Sequence, residues 1–134
     1  MMLTVKAEVG ELERLCREVK TFCDGYGITA SQTAKLVLAL EELFTNGMCH
    51  GQVHETDVGL EYVGGRVVVT LEDDGRPFDP WQRPAPDLDA PLEERSVGGL
   101  GIFLVRSLMD EVAYERRGER NRVTLTLAAV ARPS

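Results

Sequence analysis

The beginning of the chain alternates apolar and polar side chains. Leu3, Val5, Ala7 and Val9 occupy every second position, and Gly10 follows them. Because successive side chains of a strand point to opposite faces, a period of two is typical of a half-buried strand. The alternation therefore predicts a first β-strand that ends at Gly10.

Beyond Gly10 the spacing of the apolar residues becomes helical. They recur three or four positions apart up to the sequence Gly25-Tyr26-Gly27, where glycine interrupts the pattern. The apolar positions are Leu12, Leu15, Cys16, Val19, Phe22 and Cys23. This period predicts an amphipathic helix with one face in the core.

The segment from Thr29 to Gly51 shows the longest helical pattern. Thr29 followed three residues later by Gln32 predicts a capping box, because each side chain can bind a backbone N–H that the first turn leaves free. Gly51 predicts the end of the helix. The apolar face consists of Leu36, Val37, Leu40, Leu43, Phe44 and Met48.

A second, narrow face of this helix is polar. Glu42 and Asn46 are four residues apart, so their side chains are neighbours, with Ala39 and His50 nearby. Glu41 lies about 100° around the helix from Glu42 and cannot share its site. The helix thus presents a carboxylate and an amide together.

The next segment has the pattern of a β-hairpin. Val58, Leu60 and Tyr62 alternate with polar residues or glycine, and Gly64-Gly65 supplies a tight turn before the valine-rich stretch 66–72. These features predict two antiparallel strands.

A second hairpin is predicted near the end of the chain. Its strands are residues 112–116 and 121–129, and the turn is Arg117-Gly118-Glu119. In the last strand Val123, Leu125 and Leu127 point to one face, which marks the buried side.

Residues 79–97 break every regular pattern. Prolines at 80, 84, 86 and 91 lie among acidic residues. This composition predicts a long loop with at most one short helical turn, and such a loop in a compact domain is usually a lid, a binding loop or disordered. The glycines that follow open an apolar segment that reaches Asp110 and predicts a buried helix.

The order of these elements is strand, two helices, two strands, loop, helix, two strands. It predicts a two-layer α/β (α+β) sandwich in which helices cover one face of a mixed, largely antiparallel sheet. A chain of 134 residues fits a single domain spanning 1–134.

Composition and charge argue against several classes of function. A net charge of −7 argues against general binding to nucleic acid or to an anionic membrane, although backbone N–H groups and a metal ion can still neutralise phosphates locally. No stretch approaches the ~18 apolar residues of a membrane span, and the N-terminus has no pattern of a secretory signal. Cys16, Cys23 and Cys49 form no Cys-x-x-Cys pair, which predicts reduced thiols and a cytoplasmic protein.

Two further segments carry candidate chemistry. Asp73 at the end of a strand could accept a hydrogen bond from an exocyclic amine, and Gly75 would let a flat base approach the backbone. The run Gly98-Gly99-Leu100-Gly101 opens a helix, where unpaired N–H groups suit an anion. It is neither a Walker A loop nor a dinucleotide fingerprint, because the required spacing and flanking residues are absent.

The three segments together resemble, in the same order, the N, G1 and G2 boxes of the GHKL (Bergerat-fold, histidine-kinase-like) ATPases. The resemblance is closest to the anti-sigma-factor serine-protein kinases and covers nearly the whole chain. Its motifs are Glu41-Glu42-Leu43-Phe44-Thr45-Asn46 with His50-Gly51, Asp73-x-Gly75-x-Pro77-Phe78-Asp79-Pro80, and Gly99-Leu100-Gly101-Ile102 with Met109-Asp110-Glu111-Val112.

The resemblance implies a role for each motif. Asn46 would bind Mg²⁺, Asp73 would hold the adenine of ATP with Gly75 and Phe78 shaping the pocket, and Glu42 would be the general base. The run Gly98-Gly99-Leu100-Gly101 would bind the phosphates as part of an ATP lid over residues 79–98. His50, Arg95 and Arg106 could touch phosphate, although structural or surface roles are the simpler interpretation, and Trp81 matches no motif.

The resemblance also implies partners. The serine substrate would be an anti-anti-sigma protein, the sequestered protein a sigma factor, and the kinase a homodimer. One alternative is a non-catalytic nucleotide-binding module in which ATP only orders the lid. Another is a detached histidine-kinase catalytic domain, which the single strand and helix before Thr29 disfavour because they leave no room for a two-helix dimerisation region.

Overall fold

The computed structural model describes residues 1–82 and 99–129, with the backbone alone for residues 99 and 100. The strands are β1 (Met2–Lys6), β2 (Glu55–Val63), β3 (Arg66–Asp73), β4 (Glu111–Arg117) and β5 (Arg120–Ala128). The helices are α1 (Val9–Gly25), α2 (Ala30–His50) and α3 (Gly99–Leu108), and Pro80–Gln82 forms one turn of 3₁₀ helix. None of these helices combines the length and apolar character of a membrane span.

The five strands form one sheet in the order β1-β2-β3-β5-β4. Every neighbouring pair in the described residues is antiparallel. The predicted α+β sandwich is therefore confirmed, but the sheet has no parallel pair and is not mixed. The reason lies in the connections: β2–β3 and β4–β5 are tight hairpins, and β5 pairs with β3 in the antiparallel sense.

The helices cover one face of the sheet and form a single core with it. The inward-facing strand residues alternate with polar ones, as the sequence pattern predicted. The core combines Val58, Leu60, Val67, Val69, Leu71, Val123, Leu125 and Leu127 of the sheet with Leu15, Val19, Leu36, Leu40, Phe44 and Val105 of the helices. The opposite face carries mainly threonine and charged residues.

The first strand is shorter than its alternation predicted. It ends at Lys6, α1 begins at Val9, and the Val9 side chain is 76% exposed. The pairing partner decides this boundary, because Lys6 lies opposite Glu55 at the very start of β2. After one more hydrogen bond, from Ala7 N–H to the His54 carbonyl, no strand remains to pair with.

Helix α2 begins and ends where its sequence predicted. The Thr29 hydroxyl accepts from the backbone N–H of Gln32 at 3.2 Å, and the Gly51 N–H donates to the Gly47 carbonyl. The reciprocal half of the capping box is absent. The Gln32 side-chain amide instead donates to the Ala128 carbonyl at 3.2 Å, so it ties the helix to β5.

Most of the predicted loop lies outside the described residues. Its first part forms the 3₁₀ turn Pro80–Gln82, in agreement with the expected short helical turn. Pro84, Pro86 and Pro91 belong to 83–98, which the structure does not describe. Helix α3 then ends at Leu108, two residues before the predicted Asp110.

Candidate functional site

The buried amide of Asn46 is the most unusual feature of α2. Only 6% of the Asn46 residue is exposed to solvent. Its Oδ1 atom is buried and has no hydrogen-bond partner among residues 1–82 and 99–129. A buried unsatisfied acceptor is destabilising by about 1–3 kcal/mol. Gln32 Oε1 on the same helix is also buried without a partner, so the case for a ligand at Asn46 rests on the cavity that this residue lines.

Asn46 lines a cavity between α2 and the sheet. The cavity is partly open to solvent: about 550 Å³ of space lies in it when the open solvent is included, and about 50 Å³ is enclosed. Two other predicted site residues, Asp73 and Phe78, line the same cavity. The remaining walls are mainly apolar: Leu43, Phe44, Gly47, Gly51, Val53, Thr56, Leu71, Pro80, Asn121 and Val123.

Asp73 is held in a fixed orientation at the end of β3. Its Oδ1 accepts from the Gly75 N–H and from the Asn121 side-chain amide, each at 2.9 Å. The strand register produces the second contact, because Asp73 lies directly opposite Asn121 on β5. Both protein donors use one oxygen, which leaves Oδ2 as an acceptor for a ligand group.

Asn121 is a site residue that the sequence analysis missed. It is 4% exposed, and its Oδ1 accepts from the Tyr114 hydroxyl at 2.6 Å and from the Phe78 N–H at 3.3 Å. Its amide also donates to the Arg76 carbonyl at 2.7 Å. The available signal was its position: Asn121 precedes Val123 by two residues and therefore belongs to the buried face of β5.

We expect Asn121→Ala to weaken ATP binding by about tenfold, because Asp73 loses the amide that orients it. The loss should be larger for ATP than for GTP, since a merely structural defect would weaken both equally. Calorimetric titration of each nucleotide measures the ratio. Thr124→Ala on the outer face of β5 is the matched control, and an unchanged ATP-to-GTP ratio in Asn121→Ala would contradict the positioning role.

Gly75 lies outside this cavity. A Cβ atom built at Gly75 would overlap the Gly51 carbonyl oxygen and come within 2.8 Å of Val53 Cγ2. The Arg76 N–H also donates to the Gly51 carbonyl at 3.0 Å. Glycine is therefore required here to pack the loop after β3 against the end of α2, and its predicted approach to a base remains a prediction.

The two adjacent glutamates of α2 face different neighbours, as predicted. Glu42 lies against the first turn of α3, where a Cβ atom on Gly101 would overlap its Oε2. Glu41 faces α1, where the Cys16 thiol donates to its Oε1 at 3.6 Å. Burial, reinforced by the Glu41 carboxylate, raises the pKa of the Cys16 thiol. Only Glu42 therefore lies beside the glycine-rich start of α3.

The other predicted residues are scattered. The His50 carbonyl accepts from Arg76 Nε at 2.8 Å, and Arg106 donates to the Trp81 carbonyl at 3.3 Å, which are structural contacts. Arg95 and Gly98 lie outside the described residues, and Gly99 and Leu100 begin α3 with backbone positions only.

Trp81 has a structural role that its sequence did not reveal. Its indole N–H donates to the Ala113 carbonyl at 2.9 Å, and its backbone N–H donates to the Asp79 carboxylate at 2.9 Å. Because β4 is an edge strand, that carbonyl would otherwise lack a neighbour in the sheet. Trp81 thus anchors the start of the predicted lid to β4.

The oxygen atoms available in the cavity suit a hard cation that is bound mainly by the substrate. The described residues contain no group of three or more His, Cys, Asp or Glu side chains able to hold a metal ion. Mg²⁺ is usually bound by one or two protein oxygens together with water and substrate phosphates. The unpartnered Oδ1 of Asn46 supplies such an oxygen, so the site fits Mg²⁺ carried by a phosphate ligand.

We expect Asn46→Ala to abolish Mg²⁺-dependent ATP affinity while leaving the fold intact. The substitution removes an acceptor that no described residue satisfies, so little stability should be lost. Calorimetry at millimolar Mg²⁺ measures the first effect and denaturant unfolding the second, with the exposed neighbour variant Thr45→Ala as the control. Equal ATP binding by Asn46→Ala and the parent would rule out Asn46 as a ligand.

Comparison with known proteins identifies related sequences over most of the chain. Residues 5–127 match the family described as histidine kinase-like ATPase domain. The serine/threonine-protein kinase BtrW of Bordetella bronchiseptica is 30% identical over 95 residues, which cover 68% of this chain and 67% of that protein. The serine-protein kinase RsbW of Staphylococcus aureus is 30% identical over 102 residues, 69% of this chain and 64% of its own length.

Solved structures share the fold. The RsbU and RsbW domains of Rv1364c from Mycobacterium tuberculosis align with all of this chain at a TM-score of 0.66 and 17% identity, and the chain spans 33% of that longer protein. The catalytic domain of histidine kinase ThkA aligns at a TM-score of 0.53 and 12% identity, covering 98% of this chain and 99% of that one. At these identities the likeness concerns the fold alone.

Proposed function

This chain belongs to the histidine kinase-like ATPase family, and we propose that it is an ATP-dependent protein serine kinase that also sequesters a regulatory protein. The named kinases among its relatives support serine as the acceptor. The chain spans about two thirds of the length of those curated relatives.

One observation carries the proposal: the buried, unpartnered Oδ1 of Asn46 shares a cavity with the oriented carboxylate of Asp73. Asp73 offers an acceptor for an amine at one wall, and Asn46 offers a cation ligand at another. This arrangement suits a nucleotide whose base lies at Asp73 and whose phosphates lie toward Asn46. The apolar walls between them, including Phe78 and Val123, suit the flat faces of an adenine.

Phosphoryl transfer requires positioning, charge neutralisation and a base. Glu42 lies one helical turn before Asn46 and beside Gly101, so its carboxylate would face the γ-phosphate and an incoming serine hydroxyl. The carboxylate accepts the hydroxyl proton while the serine oxygen attacks the γ-phosphorus, and ADP departs with the electrons of the broken P–O bond. When bound, Mg²⁺ neutralises charge on the phosphates, and Asn46 would hold it.

The proposed partners follow from the family resemblance. The substrate would be an anti-anti-sigma protein with an accessible serine, and the sequestered regulator would be a sigma factor. We also propose a cytoplasmic location and one ATPase domain over residues 1–134; the lid that the resemblance implies for residues 79–98 lies mostly outside the described residues. The protein would form a homodimer, and light scattering that finds only monomer at high concentration would refute that part.

A second candidate is a regulatory module that binds ATP without transferring phosphate. The half-buried position of Glu42 against Gly101 favours it, because a serine hydroxyl must reach that carboxylate. Incubation with γ-labelled ATP, Mg²⁺ and candidate partner proteins encoded nearby separates the two. A kinase labels a serine of its partner, whereas a module binds both ATP and partner and leaves the partner unlabelled.

A further inference from the structure

A second concave surface includes Gly75 and shares no lining residue with the cavity of Asn46 and Asp73. Four arginines line it, together with His54, and we call it the arginine groove: Arg76, Arg116, Arg117 and Arg120. The groove has about 1330 Å³ of space continuous with bulk solvent. This concentration of positive charge stands out in a chain whose net charge is −7.

Two of the four arginines already have acidic partners. Arg117 lies 3.5 Å from Glu115 and 3.8 Å from Glu72, and Arg120 lies 3.0 Å from Asp57. These pairs form one end of the groove, on the open face of the sheet. Their charges are therefore partly compensated within the chain.

Arg76 and Arg116 are different, because neither pairs with a carboxylate in the described ranges 1–82 and 99–129. Neutral carbonyl oxygens hold them instead: Arg76 Nε donates to His50, and Arg116 Nη1 donates to Gly75 at 2.9 Å. The Arg76 guanidinium also lies 5.4 Å from the Phe78 ring centroid. Both charges are thus uncompensated and fixed in position, which lowers the entropy lost when they bind an anion.

We propose that the arginine groove is a docking site for an acidic segment of a partner protein, with carboxylates bound by Arg76 and Arg116. A guanidinium group can bind a carboxylate with two parallel hydrogen bonds, and the two terminal nitrogens of Arg76 suit that geometry. Arg116 donates with Nε to Gly118 and with Nη1 to Gly75 and Asn121, so it offers Nη2 to a carboxylate. A nucleic acid or an anionic membrane is a poorer fit. Either would bring continuous negative charge against Asp57, Glu72 and Glu115 at the same rim.

Two carboxylates inside the groove restrict how an acidic partner segment can bind. Desolvation raises the pKa of Asp74, but hydrogen bonds from the N–H groups of His54 and Glu55 outweigh it and hold the pKa below its usual value. Asp74 is therefore charged at neutral pH, and Glu119 lines the same groove. Acidic side chains of a partner must avoid both and face Arg76 and Arg116, so a particular spacing of carboxylates is favoured.

The test uses the full chain in low salt and a dye-labelled peptide in which two glutamates are separated by neutral residues, at the best-binding of a series of spacings, followed by fluorescence anisotropy. The double variant Arg76→Glu/Arg117→Glu should bind the peptide at least ~10-fold more weakly, because charge reversal in the groove replaces attraction by repulsion. Arg116 is left unchanged, since its contacts with Gly75 and Asn121 would disturb Asp73. Arg17→Glu/Lys20→Glu on the exposed side of α1 is the matched control and should change affinity by less than about twofold.

A second measurement on the unaltered chain does not depend on the folding of any variant. Peptide titration followed by amide NMR should shift the resonances of Gly75, Arg76 and Arg117 first. Equal weakening in both double variants, or amide shifts spread over α1, would overturn the proposal. Tighter binding of a single-stranded oligonucleotide or of anionic lipid vesicles than of the peptide would overturn the assignment to an acidic protein segment.

Discussion

Glu42→Gln is expected to slow phosphoryl transfer by roughly 10²–10⁴-fold, the usual contribution of a general base. Glutamine keeps the size and most of the packing of Glu42 but cannot accept the serine proton. Binding of ATP and of the partner protein should persist, because the carboxylate is needed for the chemical step. Single-turnover transfer from γ-labelled ATP to the partner measures the rate, and calorimetry measures the binding.

Glu41→Gln is the matched control, one residue away with the same chemical change. Glu41 faces the Cys16 thiol on α1 and lies away from Gly101, so its substitution should leave the transfer rate within about twofold. If Glu41→Gln abolished transfer and Glu42→Gln did not, the assignment of the base would be wrong. If neither variant differed from a parent that transfers phosphate, general-base catalysis by this helix would be excluded.

Asp73→Asn should weaken ATP binding by about 1.5–3 kcal/mol, or roughly 10- to 150-fold, because a charge-assisted hydrogen bond to the adenine amine is lost. The asparagine amide could also present a donor where the base offers a donor. The asparagine oxygen can still accept from Asn121 and from Gly75, as Asp73 Oδ1 does at 2.9 Å, so the amide nitrogen replaces the ligand-facing Oδ2. Calorimetric titration with Mg²⁺-ATP measures the loss.

Glu72→Gln provides the control for a removed carboxylate on the same strand. Glu72 is adjacent to Asp73 but points to the opposite face of the sheet, where it lies 3.8 Å from Arg122 and from Arg117. Its loss should alter surface ion pairs, which contribute little to stability, and leave ATP affinity unchanged. A parent-like affinity in Asp73→Asn would remove Asp73 from the base pocket.

The parts of the fold that local interactions determine could be predicted from the sequence. Helix α2 begins at the Thr29 cap and ends before Gly51, and the hairpin turn at Gly64-Gly65 uses two glycines with positive φ. The boundary of β1 could not be predicted, because the length of its partner strand ends it. The reciprocal hydrogen bond of the capping box is absent for a similar reason, because the Gln32 side chain instead donates to the Ala128 carbonyl, which is distant in sequence.

The candidate site likewise has parts that local sequence determines and parts that depend on tertiary contacts. Spacing within α2 predicted that Glu41 and Glu42 face different neighbours, and their contacts with Cys16 and Gly101 agree. That Glu42 and Asn46 serve one site stays a prediction. Asn121 needed the pairing of β3 with β5, which joins residues 48 positions apart in sequence. The packing role of Gly75 likewise depends on the end of α2, a tertiary contact that no local pattern contains.

The cavity lined by Asn46 and Asp73 is proposed to bind the magnesium complex of an adenine nucleotide. Calorimetric titration of the full chain with ATP and with GTP, each with and without Mg²⁺, tests it directly. We predict that ATP binds at least ~10-fold more tightly than GTP, because guanine places a carbonyl oxygen where Asp73 requires a donor, and that Mg²⁺ strengthens the binding. Equal affinities for ATP and GTP, or binding of neither, would contradict the account.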